Sequence, residues 1–218
     1  MALSGHKATL VLILSSGIPA LLRASSLSDI EEYQLCLNGT SVCQILSLRM
    51  QSLTGTLPTE LGTLTAVTEL NLYSNRITGT VPTELGSMAA IAHLDLYRNR
   101  LTGTMPTELG NLAAMSYLYL FYNRLVGSLP SELGNLAALT YIDIGANNLT
   151  GGIPQEMGGM AALQVMDCRD NTRMCGLIGH MTGAPYLYTD NTGLGEWCST
   201  KVLIDTAGTA GMQGAALP

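Results

Sequence analysis

Aromatic and ionisable side chains recur at one fixed interval in the middle of the chain. Tyr73, Tyr97 and Phe121 lie 24 residues apart, and the same interval separates His93 from Tyr117. Aromatic rings with a charged rim suit non-covalent recognition, because they combine a large apolar contact area with polar tips. The candidate recognition residues that share this spacing are Tyr73, Tyr97, Tyr117, Tyr119, Phe121, Tyr122, Tyr141, His93, Asp95, Arg98 and Asp143.

The carboxylates in this region do not form a recognisable catalytic arrangement. Asp95, Asp143 and Asp167 share one repeat position but are separated by one or two repeats. A glycosidase needs two carboxylates at a set separation, held in a cleft. The sequence contains no phosphate-binding loop, nucleophile elbow or HExxH motif. No nucleophile, base and orienting group can be named, so the sequence predicts a protein that is not an enzyme.

Composition and spacing exclude several kinds of ligand. Charged residues make up 12% of the chain and the formal net charge is −6, whereas nucleic-acid binding requires a basic surface. The five cysteines lack paired CxxC spacing, and His6, His93 and His180 are far apart. We therefore expect no metal, no cofactor and no nucleic-acid partner.

The elements that must position these residues belong to an internal 24-residue repeat. Five asparagines mark the interval: Asn75, Asn99, Asn123, Asn147 and Asn171. Before each asparagine, two inward apolar positions such as Leu70 and Leu72 alternate with outward ones, which predicts a short strand with one buried face. The asparagine amide can hydrogen-bond backbone groups that would otherwise be buried and unpaired. The glycines that follow are expected in tight turns with positive φ: Gly79, Gly103, Gly127 and Gly151.

Between Val42 and Gly176 the repeats read close to LxxLxxLxLxxNxLxGxIPxxLGx, a pattern that resembles the plant-type leucine-rich repeat. The resemblance implies an α/β solenoid, a curved right-handed leucine-rich-repeat superhelix. Its parallel β-sheet would line the concave face, and short helical or 3-10 turns would form the convex side. In its repeat count, the chain is similar to short secreted leucine-rich proteins and to small ectodomains of receptor-like kinases.

The first 26 residues have the layout of a secretory signal peptide. Lys7 precedes an apolar stretch, and Ala24 and Ser26 put small residues before a cut after position 26. A signal anchor, or a buried apolar N-terminus, is the alternative. No other segment is apolar enough to span a bilayer, so we expect a secreted chain without a membrane span. The predicted organisation is a signal peptide over 1–26, an N-terminal cap over 27–43, repeats over 44–174, a C-terminal cap over 175–205 and a flexible tail over 206–218.

The resemblance also implies a disulfide framework in the two caps. Cys36 and Cys43 precede the first repeat, where plant-type repeat domains carry a cysteine pair. At the far end, Cys175 lies in a segment that resembles the family's closing motif, whose cysteine pairs with a later one, and Cys198 fits that position. Cys168 falls on an inward strand position. It is either a buried free thiol or the partner of Cys175.

Two asparagines, Asn38 and Asn148, begin sequons for N-glycosylation and matter only if the chain is secreted. Three arginines, Arg76, Arg100 and Arg124, each follow a repeat asparagine and are interpreted as a solvated face that keeps the solenoid soluble.

The aromatic set is predicted to lie exposed on the concave face and to bind a protein or peptide. The competing explanation is that strands favour aromatic residues and that repeat duplication copied them. We expect an extracellular recognition module in signalling or defence, with a receptor kinase or a cell-wall hydrolase as its candidate partners. One alternative is an inhibitor of a cell-wall hydrolase, like polygalacturonase-inhibiting proteins. Another is a truncated receptor-like kinase ectodomain, or a structural protein that self-associates.

Overall fold

The computed structural model describes residues 9–13, 26–27, 31–37, 42–178 and 186–194, and repeated coils make up most of this part of the chain. One α-helix, α1, covers Glu31–Leu37. The strands are β1 (Thr9–Ile13), β2 (Val42–Ser47), β3 (Glu69–Asn71), β4 (His93–Asp95), β5 (Tyr117–Tyr119), β6 (Val126–Gly127), β7 (Tyr141–Asp143), β8 (Asn148–Ile153), β9 (Val165–Asp167), β10 (Arg173–Ile178), β11 (Tyr186–Tyr188) and β12 (Gly193–Leu194). The 3-10 helices are Thr59–Thr63, Thr83–Ser87, Thr107–Asn111, Ser131–Asn135 and Gln155–Gly159.

One parallel sheet runs through the whole stack and confirms the predicted solenoid. Its strand order is β1-β2-β3-β4-β5-β7-β9-β11, with every neighbouring pair parallel. The register matches residues one repeat apart, so that His93 pairs with Tyr117 and Tyr117 with Tyr141. We call the outward side of this sheet the concave face. The 3-10 helices stack on the opposite, convex side, each beginning just after a proline.

A second, shorter sheet was not anticipated from the sequence. Its order is β12-β10-β8-β6, and β6, β8 and β10 each follow a repeat asparagine. Isolated bridges between Thr56 and Thr78 and between Thr80 and Thr102 continue the same pairing into earlier coils. The flank of the solenoid is therefore also hydrogen-bonded from coil to coil.

The asparagine ladder ties each coil to the one before it. The Asn99 side chain donates from Nδ2 to the carbonyls of Leu72 (3.0 Å) and Leu96 (3.1 Å), and its Oδ1 accepts from the Ile77 N–H (3.1 Å). Asn171 repeats this arrangement and is fully buried. A buried backbone group without a partner costs about 1–3 kcal/mol, so each asparagine stabilises the turn off the strand in two coils at once.

Left-handed backbone conformations recur in every coil at two positions. The predicted turn glycines adopt φ between 70° and 80°. A second set comes directly before the ladder position and holds residues of unrelated types with φ between 47° and 58°: Met50, Ser74, Arg98, Tyr122, Ala146 and Asp170. Side chains disfavour this region by roughly 1 kcal/mol or more. The ladder hydrogen bonds must therefore hold the chain in a turn that the sequence does not favour locally.

The N-terminal side of the stack is closed by α1 and the start of β2. Cys36 and Cys43 are joined by a disulfide, and Tyr33 and Leu27 are buried in the core beside them. Strand β1 pairs with β2, although it lies inside the segment predicted to be a signal peptide.

The remaining cysteines resolve one of the open alternatives. Cys168 is a free thiol and fully buried, which confirms the prediction that it acts as a small apolar residue. The alternative bond between Cys168 and Cys175 is therefore wrong. Cys175 is disulfide-bonded, while Cys198, its predicted partner, lies outside the described residues, as does Asn38.

Glycines in the 3-10 helices allow neighbouring coils to approach closely. A Cβ added to Gly110 would lie 2.3 Å from the carbonyl oxygen of Glu132 in the next coil. Because the obstacle is backbone, no side-chain movement can relieve it.

We expect Gly110→Ala to lower the free energy of unfolding by about 1–3 kcal/mol, since it overpacks the contact between two coils. Thermal denaturation followed by circular dichroism measures this as a fall in Tm of about 2–4 °C per kcal/mol. Gly159→Ala is the matched control, because nothing lies within 4 Å of its added Cβ. Equal melting temperatures for the two variants would contradict the proposed close contact.

Candidate recognition surface

All seven aromatic residues predicted as recognition residues lie in the three coils around β4, β5 and β7 or in the coil just before them. Tyr117, Tyr119 and Tyr141 are outward residues of the strands, where inward residues alternate with them. Tyr97 and Phe121 follow the strand ends by two positions and point out from the same face. The Tyr122 ring lies 6.0 Å from the Phe121 ring. We call the seven aromatic residues, together with His93, the aromatic surface.

One part of the aromatic surface is a stack of rings from three successive coils. The Tyr73 and Tyr97 ring centroids are 5.1 Å apart, and those of Tyr97 and Phe121 are 5.4 Å apart, with planes within about 22° of parallel. The stack ends on Gly145, where an added Cβ would lie 2.8 Å from the Phe121 ring. Aromatic residues that are one repeat apart in the sequence therefore stack on one another in the structure.

The second part lies nearer the start of the strands. His93 stacks on Tyr117 with centroids 4.2 Å apart and planes 5° from parallel. Tyr117 lies 6.3 Å from Tyr119, and Tyr119 lies 5.2 Å from Tyr141 in a tilted arrangement. These rings form one continuous polar-tipped cluster across β4, β5 and β7.

The rings are less exposed than the sequence analysis predicted. Only Tyr122, at 57% relative exposure, is an exposed residue; the six other predicted aromatics are half-buried. The reason is that each ring covers part of its neighbour in the next coil. The Arg98 guanidinium extends this packing, since it lies 5.7 Å from the centroids of both Tyr97 and Tyr122.

The predicted acidic residues Asp95 and Asp143 also have a structural role. Each accepts, through Oδ1, a hydrogen bond from the backbone N–H two residues later, at 3.0 and 3.1 Å respectively. Asn71 makes the same contact from the equivalent position of its own coil, at 3.1 Å. These side chains therefore fix the backbone at the end of each strand.

Burial shifts the acid–base properties of this face. Desolvation raises the pKa of Asp143 to about 6 and also raises the pKa of Asp95, although backbone hydrogen bonds oppose both shifts. Desolvation likewise raises the pKa of Tyr119 and of Tyr141. The surface therefore loses negative charge in mildly acidic solution.

A shallow cleft of about 340 Å³ runs along these columns between the aromatic and acidic residues. It is bordered by Tyr73, Tyr97, Tyr119, Asp95 and Asp143, and Arg49 lies at one end. The cleft is open along its length, so it suits an extended partner and not a small molecule enclosed on all sides.

Sequence reasoning missed an ion pair that borders the surface. Asp167 is 2% exposed, and it accepts hydrogen bonds from Nε and Nη2 of Arg169. The Arg169 guanidinium also lies 5.1 Å from the ring of Tyr188 in β11. The repeat spacing could have revealed this ion pair. Asp167 occupies the same repeat position as Asp143, and Arg169 occupies the outward position two residues later, where the preceding coil has Gly145.

The family of the chain follows from its comparison with known proteins. Two family models, each described as a leucine-rich repeat, match residues 65–125 and residues 115–136 and 138–160. The solved ectodomain of the receptor kinase SOBIR1 from Arabidopsis thaliana is 32% identical, with a TM-score of 0.56 over 59% of this chain and 71% of that one. The BIR2 ectodomain from the same plant is 32% identical, with a TM-score of 0.55 over 60% of this chain and 68% of that one. The chain belongs to the leucine-rich-repeat family, and its repeats are of the plant type found in receptor-kinase ectodomains.

Larger receptors share the fold as well. The plant peptide hormone receptor RGFR1, solved in complex with RGF2, is 34% identical, with a TM-score of 0.65 over 71% of this chain. The present chain spans about a quarter (25%) of the length of that receptor chain. A comparison with curated protein sequences gave no significant match. Among the described residues, no helix is long and apolar enough to cross a membrane.

We expect Asp143→Asn to raise Tm at pH 7.5 by about 2–4 °C and to leave it unchanged near pH 4. The folded pKa of Asp143 lies above the unfolded value, so the wild type loses stability as the pH rises from about 4 through about 6. Asparagine keeps the Oδ1 acceptor, as Asn71 does, and carries no charge to desolvate.

The measurement is thermal denaturation of both proteins across pH 4–8. The control is Asp170→Asn, because Asp170 is an exposed turn residue whose carboxylate remains at the protein surface. A stability difference that does not change with pH would contradict the assigned cause.

Proposed function

We propose that this protein is a non-enzymatic extracellular recognition module that binds a protein or peptide partner through the aromatic surface. The observation that supports the proposal most strongly is the concentration of seven aromatic side chains on one face of the sheet. Aromatic residues, particularly tyrosine, are enriched in binding interfaces, where a ring adds apolar contact and its hydroxyl a hydrogen bond. The half-buried rings are also held in place by one another, so little conformational entropy is lost on binding.

The structural relatives support the same class of function. The plant peptide hormone receptor RGFR1 was solved in complex with RGF2, and PEPR1 was solved with AtPEP1. Both solved chains share the coil geometry with this chain but are considerably longer, since this chain spans 25% and 29% of their lengths. Binding in signalling or defence is the role that we propose for the chain.

An extracellular location is supported by the disulfides. Cys36 is bonded to Cys43, and Cys175 is also disulfide-bonded. Such bonds form and persist in oxidising compartments and are rare in the cytosol. The sequon residue Asn148 is exposed at the start of β8, where a glycan could be attached without disturbing the core.

Secretion is testable by expressing the full chain in a plant cell line. We expect the secreted protein to begin at Leu27, as measured by N-terminal sequencing and intact mass. An Asn148→Gln variant should lose the mass of one glycan. A secreted chain that still contains Thr9–Ile13 would contradict the signal peptide and would favour β1 as a permanent edge strand.

Recognition is testable once a partner has been captured from an extracellular protein fraction with the mature chain. We expect Tyr119→Ala combined with Tyr122→Ala to weaken binding at least about tenfold, because truncated aromatic hot spots cost about 2 kcal/mol or more. Isothermal titration calorimetry measures the change in Kd. Tyr186→Ala is the matched control, since Tyr186 is 58% exposed, like Tyr122 at 57%, but lies on β11 outside the aromatic surface.

Circular dichroism must first show that the double variant keeps its fold. Unchanged affinity would move the binding site away from the aromatic surface. Loss of a hydrolase's activity on addition of the wild-type protein would instead favour an inhibitor. A dimer in solution that the double substitution dissociates would favour self-association.

A further inference from the structure

A second cleft, of about 270 Å³, lies beside the aromatic surface at the ends of the strands. Four arginines line it together with Tyr122: Arg76, Arg98, Arg100 and Arg124. We call it the arginine cleft. Three of these residues directly follow a ladder asparagine, so they are stacked one per coil at about the strand spacing of 4.8 Å. All four are exposed.

The fourth arginine connects the cleft to the aromatic surface. Arg98 directly precedes a ladder asparagine, has a φ of 54°, and lines the arginine cleft. Its guanidinium lies over both Tyr97 and Tyr122, at 5.7 Å from each centroid. A ligand on the aromatic surface would therefore contact the arginine cleft without crossing other structure.

The positive charge of the cleft is not neutralised within the described residues. The ion pair among the described residues joins Arg169 to Asp167, neither of which lines the cleft. None of the four cleft arginines has a carboxylate of the described residues within 4.0 Å. The chain as a whole carries a formal charge of −6. Four cations placed in three neighbouring coils of an acidic protein repel one another, and an anion bound among them would relieve that repulsion.

The extent of the cleft limits the kind of anion it suits. The arginine column is three coils long, because the equivalent positions on either side are the uncharged Ser52 and Asn148. A long polyanion would extend past the column without further compensation. The same three coils carry the Tyr73–Tyr97–Phe121 stack, so the charged and aromatic features end together.

Charge on the other side of the stack fixes a direction for the ligand. Asp95 and Asp143 lie two positions before the stacked column along the strand direction, whereas the arginines lie one to three positions after it. An acidic group is therefore repelled from one side of the aromatic surface and attracted to the other.

We infer that the arginine cleft binds the carboxylates of a short acidic segment in the peptide or protein partner, while adjoining apolar residues of that segment lie on the aromatic surface. This inference rests on the proposed function and specifies the chemistry of the partner. Guanidinium groups are suited to the task, because their planar donors bind carboxylates in bidentate pairs.

The test uses two synthetic peptides that differ only in charge. Each has two tyrosines, followed by four glutamates in one peptide and four glutamines in the other. We expect the mature wild-type chain to bind the acidic peptide about tenfold more tightly in fluorescence anisotropy, and to lose most of that preference at high salt. The double variant Arg98→Gln with Arg100→Gln should bind both peptides equally. Arg173→Gln, which removes an exposed arginine on β10, should keep the preference.

Equal binding of the two peptides by the wild type would overturn the inference, as would a preference that survives in the double variant. Competition by polygalacturonate at lower charge concentration than the acidic peptide would also overturn it, in favour of a polysaccharide ligand. The proposed function fails separately. If the Tyr119 and Tyr122 substitutions weaken binding of the captured partner while the arginine variants do not, the recognition surface stands and the acidic segment does not.

Discussion

The structure depends on one constraint: each coil must present its backbone donors and acceptors in register with the next. The parallel sheet meets this requirement along the strands, and the buried asparagines meet it where the chain turns away. A single coil cannot bury its apolar side chains by itself, so burial of the core and formation of the inter-coil hydrogen bonds both depend on neighbouring coils. The aromatic surface and the arginine cleft both depend on this register, because each consists of residues from successive coils.

Register explains why the recognition surface is both ordered and half-buried. Equivalent side chains lie about one strand spacing apart, which is close to the separation at which aromatic rings stack. A column of rings in successive repeats therefore packs against itself before any partner arrives. The structural and binding explanations of the tyrosines are not exclusive, since the same contacts that stabilise the column also hold the rings in position for a partner.

The sequence was sufficient to predict the coil, its sheet and the columns, because a 24-residue period relates residues that are distant along the chain. The sequence was insufficient for features that recur at one repeat position whatever residue type stands there. The left-handed turn before each ladder asparagine accepts residues as different as Ser74, Arg98 and Tyr122, so no residue propensity predicts it. The sequence alone predicts a solvated face for Arg76, Arg100 and Arg124, since one-repeat spacing does not show that Arg98 joins their column across Tyr122.

The buried thiol of Cys168 has a consequence for how the chain withstands oxidation. Burial raises its pKa well above that of an ordinary thiol. Because disulfide exchange requires a thiolate that can reach the bond it attacks, this sulfur cannot take part while the core is closed. An odd cysteine in an oxidising compartment would normally invite mispaired or intermolecular bonds. Because Cys168 occupies the buried position that Leu72 and Leu96 hold in other coils, its thiol does not react in the native protein.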